Sequence, residues 1–493
     1  MTHRYRSAVL PRLAVILLSF SSCLFAGNFA TPVNYAVNPY PTGIVMGDFN
    51  RDGINDLAFT VCGDQNCLST GSVQVLFGHG DGTFSLGGVY TAGPAGSTAD
   101  TMASGDFNRD GTPDVVVVNN AINQFGNVSI LLGDGKGGFL PPVTYNVEGS
   151  TPVWVAVGDF NGDHKLDLAV SVTTTDSVSI LLGNGDGTFQ AAVSYPVESA
   201  PQGITLGDVN SDGVLDIIAA NQCGEDPTCR QGTVSVLLGN GNGTFQAPLS
   251  FAGGYSPLSV AVADFNGDGK LDVAVADACG VDPTCVSNGS VGILLGNGDG
   301  TLQAMSSYIA TGSDTARLTV GDFNGDRSPD VVAMDARVND FTVFLGKGDG
   351  TLQAGVDYVV GAVPIWAVVG DFNRDHSLDL AIADEIGYEV SVLLNSGGTR
   401  ITLGSNPNPS RAHHSVMFNA MIRPSLPGFG VPTGSVTFTA GGKVLGIAPL
   451  RSGLAKFPTS ALPPGRHSIQ ANYSGDAQYN SNFSAPLVQI VMP

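Results

Sequence analysis

The residues best suited to chemistry in this sequence are the acidic and amide side chains of a nine-residue motif that occurs seven times. The first copy runs from Asp48 to Asp56, and every copy has Asp at positions 1, 5 and 9 and Asn at position 3. Oxygen ligands at positions 1, 3, 5 and 9, with the main-chain carbonyl of position 7, are a donor set with which a loop of the EF-hand type surrounds a hard cation. The sequence therefore predicts up to seven Ca²⁺ sites.

The predicted ligands have the same spacing in all seven copies. They are Asp48, Asn50, Asp52, Ile54 and Asp56; Asp106, Asn108, Asp110, Thr112 and Asp114; Asp159, Asn161, Asp163, Lys165 and Asp167; Asp208, Asn210, Asp212, Val214 and Asp216; Asp264, Asn266, Asp268, Lys270 and Asp272; Asp322, Asn324, Asp326, Ser328 and Asp330; and Asp371, Asn373, Asp375, Ser377 and Asp379. Without a cation the carboxylates would repel, by roughly 4 kcal/mol for two charges about 4 Å apart at an effective dielectric of about 20. A single copy could instead be an Asx-turn that caps a strand, but seven complete copies favour cation binding.

The motifs belong to a longer repeat. Successive first aspartates are 58, 53, 49, 56, 58 and 49 residues apart, and a period of about 50 residues is typical of propellers and solenoids. Each repeat contains four runs of β-branched residues bounded by Gly, Asn and Asp, which predict strands and hairpin turns. In the third repeat the runs are Trp154–Phe160, Leu166–Val172, Ser177–Leu182 and Thr188–Tyr195. This pattern predicts an all-β, seven-bladed β-propeller over residues 27–398.

Strand counting predicts how the propeller closes. The seventh repeat has three strands and then ends in a turn after Leu394, so its fourth strand is missing. Residues 28–36 precede the first repeat and match Thr188–Tyr195 in the positions of Phe and Tyr. We therefore expect residues 28–36 to form the outer strand of blade seven, which would otherwise expose a strand edge.

The composition fits short strands and disfavours some partners. The 493 residues include 66 Gly and 28 Pro, which favour turns over helices. The formal net charge is −22, and 21 of the 43 acidic residues lie in the seven motifs, so that cation binding accounts for much of the acidity. Because no basic stripe is present, nucleic acid is not an expected partner. No segment after the N-terminal signal is long and apolar enough to predict a membrane span.

The N-terminus has the pattern of an export signal. Three arginines precede the apolar run Leu13–Phe20, and small residues follow up to Ala26. Residues 1–26 are therefore predicted to be a signal peptide, and the protein is predicted to be secreted or displayed at a bacterial cell surface. The residues around Cys23 also form a loose lipidation signal, so that a lipid anchor on Cys23 is an alternative to free secretion.

Six of the seven cysteines form three close pairs. These pairs are Cys62 with Cys67, Cys223 with Cys229, and Cys279 with Cys285. In an exported protein, such pairs predict local disulfides. A zinc site is the less favoured alternative, because no histidines accompany the pairs.

Two segments carry a family resemblance. Residues 264–272 read Asp-Phe-Asn-Gly-Asp-Gly-Lys-Leu-Asp, and residues 294–301 read Leu-Leu-Gly-Asn-Gly-Asp-Gly-Thr. Together they resemble the FG-GAP/VCBS repeat family, to which the integrin α-chain propeller is related, and the resemblance covers residues 28–396. It implies a Ca²⁺-binding, seven-bladed propeller. Position 6, usually glycine in the family, is His164, Arg327 or His376 in three blades, and position 3 is Asn where the family often has Asp. Both departures imply weaker or more strained sites.

Residues 399–493 form a different unit. Their short strand-like runs predict a two-sheet sandwich. The segments Gly434–Phe438, Gly465–Ile469 and Asn472–Asp476 resemble the group 3 bacterial Ig-like domain. The resemblance implies a spacer or adhesive module, and no catalytic set is recognisable in it.

The blade geometry of the family predicts which face binds a ligand. The acidic loops join strands one and two, whereas the three cysteine pairs lie in loops between strands two and three, on the opposite face, where integrin-type propellers bind ligands. Trp154, Arg317 and Trp366 each lie five residues before the first aspartate of their blade. They could line the mouth of the axial channel as ligand contacts, or they could pack against the neighbouring blade.

These observations favour a secreted or cell-surface Ca²⁺-binding propeller that mediates adhesion or binds an extracellular glycan or protein. A carbohydrate-active lyase or hydrolase on the same fold is the alternative, and a passive spacer is a third hypothesis. Catalysis is less favoured, because acids outside the motifs, such as Glu198, Asp314, Asp384 and Glu385, are scattered and form no recognisable pair.

Overall fold

The structure is a computed structural model, and its secondary structure is almost entirely β. It describes residues 29–62, 70–121, 126–224, 229, 231–280, 288–310, 315–395, 397–424, 431–476 and 479–493. In this part of the chain the one helical element is a 3₁₀ turn, Thr173–Thr175. No described helix has the length and apolar character needed to cross a membrane.

Seven four-stranded antiparallel sheets, the blades, form the repeat region. The first strand of the chain is β1, Val33–Ala36. Blade one contains β2 Pro41–Gly47, β3 Asp56–Val61, β4 Ser72–Gly78 and β5 Phe84–Thr91; blade two contains β6 Ser97–Gly105, β7 Asp114–Ala121, β8 Asn127–Leu131 and β9 Val143–Asn146; blade three contains β10 Pro152–Gly158, β11 Asp167–Val172, β12 Ser177–Leu181 and β13 Val193–Pro196; blade four contains β14 Ser199–Gly207, β15 Asp216–Gly224, β16 Gly232–Leu237 and β17 Leu249–Gly254.

The remaining blades follow the same plan. Blade five contains β18 Pro257–Ala263, β19 Asp272–Asp277, β20 Ser290–Leu294 and β21 Ser306–Ile309; blade six contains β22 Thr315–Gly321, β23 Asp330–Asp335, β24 Asp340–Phe344 and β25 Val356–Val359; blade seven contains β26 Pro364–Gly370, β27 Asp379–Asp384 and β28 Glu389–Leu393, with β1 as its fourth strand. The first strand of each blade contacts the first strands of both neighbouring blades, and β26 contacts β2, so that the ring is closed.

The N-terminal strand completes blade seven, as the sequence predicts. β1 pairs antiparallel with β28, with Val33 opposite Val392 and Ala36 opposite Glu389. Upstream of β1, Phe29 forms a bridge with Asn395. The same bridge joins Gly183 to Phe189 within blade three, so that the N-terminal segment reproduces a complete fourth strand.

The burial pattern follows from the position of each strand in its blade. Every residue of β3, β11, β19, β23 and β27 is buried, because a second strand is covered by its sheet neighbours and by both adjacent blades. The fourth strands are mostly exposed and form the rim of the ring.

Aromatic pairs join five of the seven blades to the next. In each of these pairs the phenylalanine at position 2 of an acidic loop packs edge-to-face on a phenylalanine at or just before the start of the fourth strand of the following blade. Observed pairs are Phe49 with Phe139, Phe107 with Phe189, Phe160 with Phe245, Phe323 with Phe29, and Phe372 with Phe84, all with ring centroids 5.5–5.9 Å apart. Such pairs contribute about 0.5–1.5 kcal/mol beyond the burial of their surface. Phe29 therefore makes the same inter-blade contact as the internal phenylalanines.

The C-terminal domain is a two-sheet sandwich. One sheet has the order β29-β31-β34, and the other has the order β30-β37-β35-β32-β33, with β36 paired to β35. A core that includes Phe418, Phe438 and Ile469 fills the space between the sheets. The strands are β29 Thr399–Asn406, β30 Ser410–Arg411, β31 Val416–Pro424, β32 Ser435–Ala440, β33 Lys443–Pro449, β34 Leu454–Thr459, β35 Gly465–Tyr473, β36 Asn482–Phe483 and β37 Leu487–Met492.

Candidate metal and ligand sites

The seven acidic motifs form the loops between strands one and two, and their backbones are held by their own side chains. In blade one the Asp48 carboxylate accepts the N–H groups of Asp52 and Gly53 at 3.0 and 2.8 Å, and Asp52 accepts the N–H of Ile54 at 2.8 Å. The bonds from positions 5 and 6 to position 1 recur in all seven loops. Because each carboxylate oxygen has two lone pairs, these bonds leave acceptor capacity at positions 1 and 5.

The aspartate at position 9 lies at the start of strand two and is buried. Asp56 accepts the N–H groups of Phe49 and Gly78, at 3.1 and 3.0 Å, and so ties the loop to the end of strand three. Burial is the main cause that raises the pKa of Asp56 to about 6, and it raises the pKa of Asp379 to about 8. The hydrogen bonds from the main chain favour the ionised form of the position-9 carboxylate, and a bound cation would favour it further.

Two positions in every loop have left-handed backbone conformation. Position 4 has φ between 60° and 74°, and position 6 has φ between 61° and 85°. Glycine adopts this conformation without strain, whereas another residue is disfavoured there by about 1–2 kcal/mol. His164, Arg327 and His376 at position 6 are therefore strained. The acidic loop of blade seven is the one loop with a non-glycine residue at both position 4 and position 6, namely Arg374 and His376.

The donor set fits a hard cation in chemical type. Within the described ranges, no three His, Cys, Asp or Glu side chains are grouped so that they could hold a metal ion. A cation in these loops would therefore depend on the Asn oxygen at position 3 and the main-chain carbonyl at position 7 as well as on the carboxylates, as Ca²⁺ sites commonly do. In blade seven Asn373 is 3% exposed, and neither its Oδ1 nor its Nδ2 has a hydrogen-bond partner among the residues that the structure describes. That orphaned amide is the observation that most favours a bound cation.

Trp154, Arg317 and Trp366 meet on the axis of the ring, although they come from blades three, six and seven. The two indole rings are 4.4 Å apart between centroids and tilted by 35°. The Arg317 guanidinium carbon lies 4.6 Å from the centroid of Trp154 and 5.2 Å from that of Trp366. All three side chains are partly exposed. They thus pack against one another across the ring, rather than only against a neighbouring blade.

The other four blades place smaller residues at the equivalent position. These residues are Gly43, Thr101, Gly203 and Ser259. A cavity of about 170 Å³ remains beside the three large side chains, lined by Trp154, Arg317 and Trp366 together with Leu318, Thr319, Met334 and Ala367. The three large side chains therefore narrow the channel without filling it.

Two acidic residues interact electrostatically with this region, Asp100 with Arg317 and Glu385 with Asp100. Burial raises the pKa of Asp100, and the charge of Arg317 opposes that rise. Burial also raises the pKa of Glu385, and the negative charge of Asp100 adds to the rise. Asp100 lies where the pairing of β6 with β7 shifts register, between Ala99 and Met102. Such irregularities redirect side chains, and no sequence motif marks this one.

The Arg317 guanidinium has no hydrogen bond or ion pair with any described residue; its neighbours are the two indole rings and the more distant charge of Asp100. Burial lowers its pKa to about 10, so that it stays charged at neutral pH. A charged group with unused donors is costly to keep partly desolvated. The cation–π contacts compensate for part of that cost.

The cysteine predictions are tested in part. Cys223 and Cys229 form a disulfide. Cys62 and Cys279 are each in a disulfide, but Cys67 and Cys285, their expected partners, lie outside the described residues, as do residues 1–26 with Cys23. A cavity of about 740 Å³ is lined by residues of blades four and five, including Thr233, Phe251 and Met305.

Comparison with known proteins assigns the repeats. The FG-GAP-like repeat family matches residues 61–117, 106–170, 169–219, 228–275, 281–333 and 322–382. The chain belongs to this family. The bacterial Ig-like domain (group 3) matches residues 403–492, so that this FG-GAP-like repeat protein carries an Ig-like domain after its propeller.

Solved structures resemble the chain at low identity. A functionally unknown protein from Desulfotomaculum acetoxidans is 14% identical with a TM-score of 0.45, and the match covers 64% of this chain and 85% of that protein. The periplasmic gluconolactonase PpgL of Pseudomonas aeruginosa is 14% identical with a TM-score of 0.48, over 65% of this chain and 86% of the enzyme. No curated protein matches the chain. These likenesses carry no argument about activity.

Proposed function

We propose that this protein is an exported, Ca²⁺-binding propeller that binds an extracellular glycan on its axis, at the end of the ring opposite the acidic loops. The observation that carries the proposal is the cluster of Trp154, Arg317 and Trp366. Each of these residues lies five positions before its acidic loop, which is about 16 Å along an extended strand. The cations would support the scaffold at one end, and the ligand would bind at the other.

The proposed role of Ca²⁺ is structural. When bound, the cation would neutralise the carboxylates at positions 1, 5 and 9 and hold the loop that joins the two inner strands of each blade. The ligands would be the residues at positions 1, 3, 5, 7 and 9 of each motif. Export, by the signal predicted in residues 1–26, would place these loops where Ca²⁺ is abundant.

The chemistry of the axial cluster favours a sugar that bears a carboxylate. A guanidinium with unused N–H donors pairs with a carboxylate through two parallel hydrogen bonds. The two indole rings fix its position and offer an apolar surface on which a sugar ring can pack. Asp100, which interacts electrostatically with Arg317, would supply an acceptor for a sugar hydroxyl group. The cavity of about 170 Å³ is smaller than the roughly 300–1,000 Å³ of common ligand sites, so we expect it to receive a single terminal uronic acid unit.

Calorimetric titration with uronic acid oligosaccharides tests the proposal. We expect binding of the acidic oligosaccharides and none of the matching neutral ones. Arg317→Gln should weaken binding roughly 10- to 100-fold, since a hydrogen bond to a charged group contributes about 1.5–3 kcal/mol. Arg317→Lys should restore only part of the affinity, because lysine keeps the charge but lacks the planar fork.

Arg51→Gln is the matched control. It removes one arginine from the opposite face, where Arg51 pairs with Asp110 at 3.1 Å, and should leave glycan affinity unchanged. Melting curves of all variants check that the fold is intact. If folded Arg317→Gln binds acidic glycans as well as the parent protein, the axial site is wrong.

A glycan-cleaving enzyme at the same place is the second candidate. The electrostatic interaction of Asp100 with both Glu385 and Arg317 favours it, because two carboxylates with different surroundings can divide the acid and base roles. Release of reducing ends or of an unsaturated product from acidic polysaccharides, lost in Glu385→Gln, would support this candidate. Binding without any product would exclude it for the glycans tested.

A further inference from the structure

The acidic loop of blade seven, residues 371–379 (loop seven), is covered, unlike the other six. Asn373, Asp375 and Ser377 are 3%, 1% and 6% exposed. In each of the other loops the aspartate at position 5 is exposed and the asparagine at position 3 is partly exposed. Loop seven thus occupies a different environment, although its predicted ligands are the same residue types.

The cover comes from the C-terminal domain and from the segment that leads to it. Asn482 donates to the main-chain carbonyl of Asp375 at 3.0 Å, and Asn480 contacts Ser377 Oγ at 3.4 Å. The Phe483 ring stacks on the imidazole of His376 with centroids 5.0 Å apart. We call residues 480–483 the covering turn.

The covering turn also reaches the acidic loop of blade six. Ser481 Oγ donates to the carbonyl of Gly325 at 2.8 Å, and Asn480 Nδ2 donates to the carbonyl of Phe323 at 3.1 Å. The Phe323 carbonyl has a second donor, Asn395 Nδ2, at 2.7 Å. In other blades the equivalent carbonyl accepts a glycine N–H from the hairpin turn of the next blade, as Gly187 donates to Phe107. Blade seven ends without that turn, and Asn395 and Asn480 supply the donors instead.

Residues 397–398 lead from blade seven to the C-terminal domain, and we call them the connecting segment. They pack against loop seven. The carboxylate of Asp375 lies so near Gly398 that a Cβ atom there would be 2.0 Å from Asp375 Oδ2. The Gly397 carbonyl accepts the N–H of Asn480 at 2.8 Å, so that the connecting segment and the covering turn are joined. A side chain at residue 398 would push this segment away from the Asp375 carboxylate.

The interior of the covered loop contains the orphaned amide. In the six open loops the Oδ1 of the asparagine accepts the N–H of position 5, at 2.8–3.0 Å. Asn373 makes no such bond, and within the described part of the chain both polar atoms of its side chain are buried without a partner. An amide left in this state costs free energy unless water or an ion satisfies it, and an amide oxygen is a ligand that Ca²⁺ accepts.

We propose that loop seven is a closed cation site whose lid is the Ig-like domain, so that the cation there cannot exchange until the domain lifts, and the domain is held in place by the cation. The inference rests on the proposed binding of Ca²⁺ by the acidic loops. Sites of nearly identical sequence would then have different roles. The cations in six loops would exchange freely with the medium, and the cation in loop seven would fasten the C-terminal domain to the ring.

The test is the release of radioactive Ca²⁺ from the full chain into excess unlabelled Ca²⁺. We expect one ion per chain to leave at least 10-fold more slowly than the others. The double variant Ser481→Ala with Phe483→Ala should abolish the slow phase and leave the fast phases unchanged. Both side chains are on the surface of their domain, and its melting transition checks that it still folds. Asn408→Ala, which removes two hydrogen bonds inside the same domain, is the matched control and should keep the slow phase.

Small-angle X-ray scattering supplies a second readout. Chelation should increase the radius of gyration of the parent protein, because the domain is released, and the double variant should already be extended in Ca²⁺. If Ca²⁺ binds but all ions leave at one rate in the parent protein, the closed site is wrong while the proposed function stands. If no Ca²⁺ binds, both fail.

Discussion

Replacing Phe29 by alanine should open the propeller at blade seven. The Phe29 ring packs edge-to-face against Phe323, Phe341 and Tyr358, with centroids 5.9, 5.7 and 5.5 Å apart. Each aromatic pair contributes about 0.5–1.5 kcal/mol, and the ring is also partly buried. We therefore expect the free energy that holds the N-terminal strand on blade seven to fall by about 3 kcal/mol. This loss is within the range of about 3–5 kcal/mol for truncation of a buried phenylalanine. Phe29→Leu should cost less, because Leu302 and Leu352 occupy the equivalent position in blades five and six.

Limited proteolysis measures this loss. Because about 1.4 kcal/mol corresponds to a factor of ten in an equilibrium constant, about 3 kcal/mol should raise the cleavage rate near residues 30–40 roughly 100-fold when opening is fast relative to cleavage. Leu352→Ala is the control, since it weakens a similar contact in a strand that is not at a chain end. It should lower global stability without exposing the N-terminal segment. Equal cleavage rates in Phe29→Ala and the parent protein would refute the idea that this segment fastens the ring.

Three further predictions concern buried charge, strain and metal. Burial and repulsion from Asp340 and Asp357 raise the pKa of Asp335 to about 7, against about 3.9 in an unfolded chain. The contribution of Asp335 to the free energy of unfolding is therefore complete below about pH 4 and is lost as the pH rises through 7. Urea denaturation at pH 5 and pH 8 should therefore show a smaller pH dependence for Asp335→Asn than for the parent; an unchanged pH dependence would contradict the shift. His164→Gly should raise the free energy of unfolding by roughly 0.5–1 kcal/mol, because His164 has φ of 61°; a loss of stability would show that its side chain is needed. Chelation by EDTA should lower the melting temperature, and Ca²⁺ should restore it better than Mg²⁺; no change would argue against a structural cation.

The fold could be predicted because the information is periodic and local. Seven motifs at intervals of about 50 residues fixed the number of blades, and a missing fourth strand identified the role of residues 28–36. Strand ends were less exact. The predicted inner strand Trp154–Phe160 is observed as Pro152–Gly158, because Asp159 and Phe160 already belong to the loop. The Asp159 carboxylate accepts main-chain N–H groups of the loop, and Phe160 donates its N–H to the Asp167 side chain rather than to a main-chain carbonyl of the neighbouring strand.

The ligand site could be predicted only in part. The equivalent positions of Trp154, Arg317 and Trp366 indicated the axis, but no sequence pattern marks Asp100, which lies at a register shift and interacts electrostatically with Arg317. The cover of loop seven was also hidden in the sequence. It depends on Asn480 and Asn482 meeting residues more than 100 positions earlier in the chain, and one sequence contains no signal of such a contact.

The number of bound ions per chain shows whether the acidic loops are cation sites. Elemental analysis of the folded protein, after dialysis against buffer with a defined level of free Ca²⁺, gives the number of ions per chain. We expect several Ca²⁺ ions per chain, rising to as many as seven. Replacing both Asp264 and Asp268 of blade five by asparagine should reduce the number by one. A folded protein that retains less than one Ca²⁺ per chain at millimolar free Ca²⁺ would contradict this expectation.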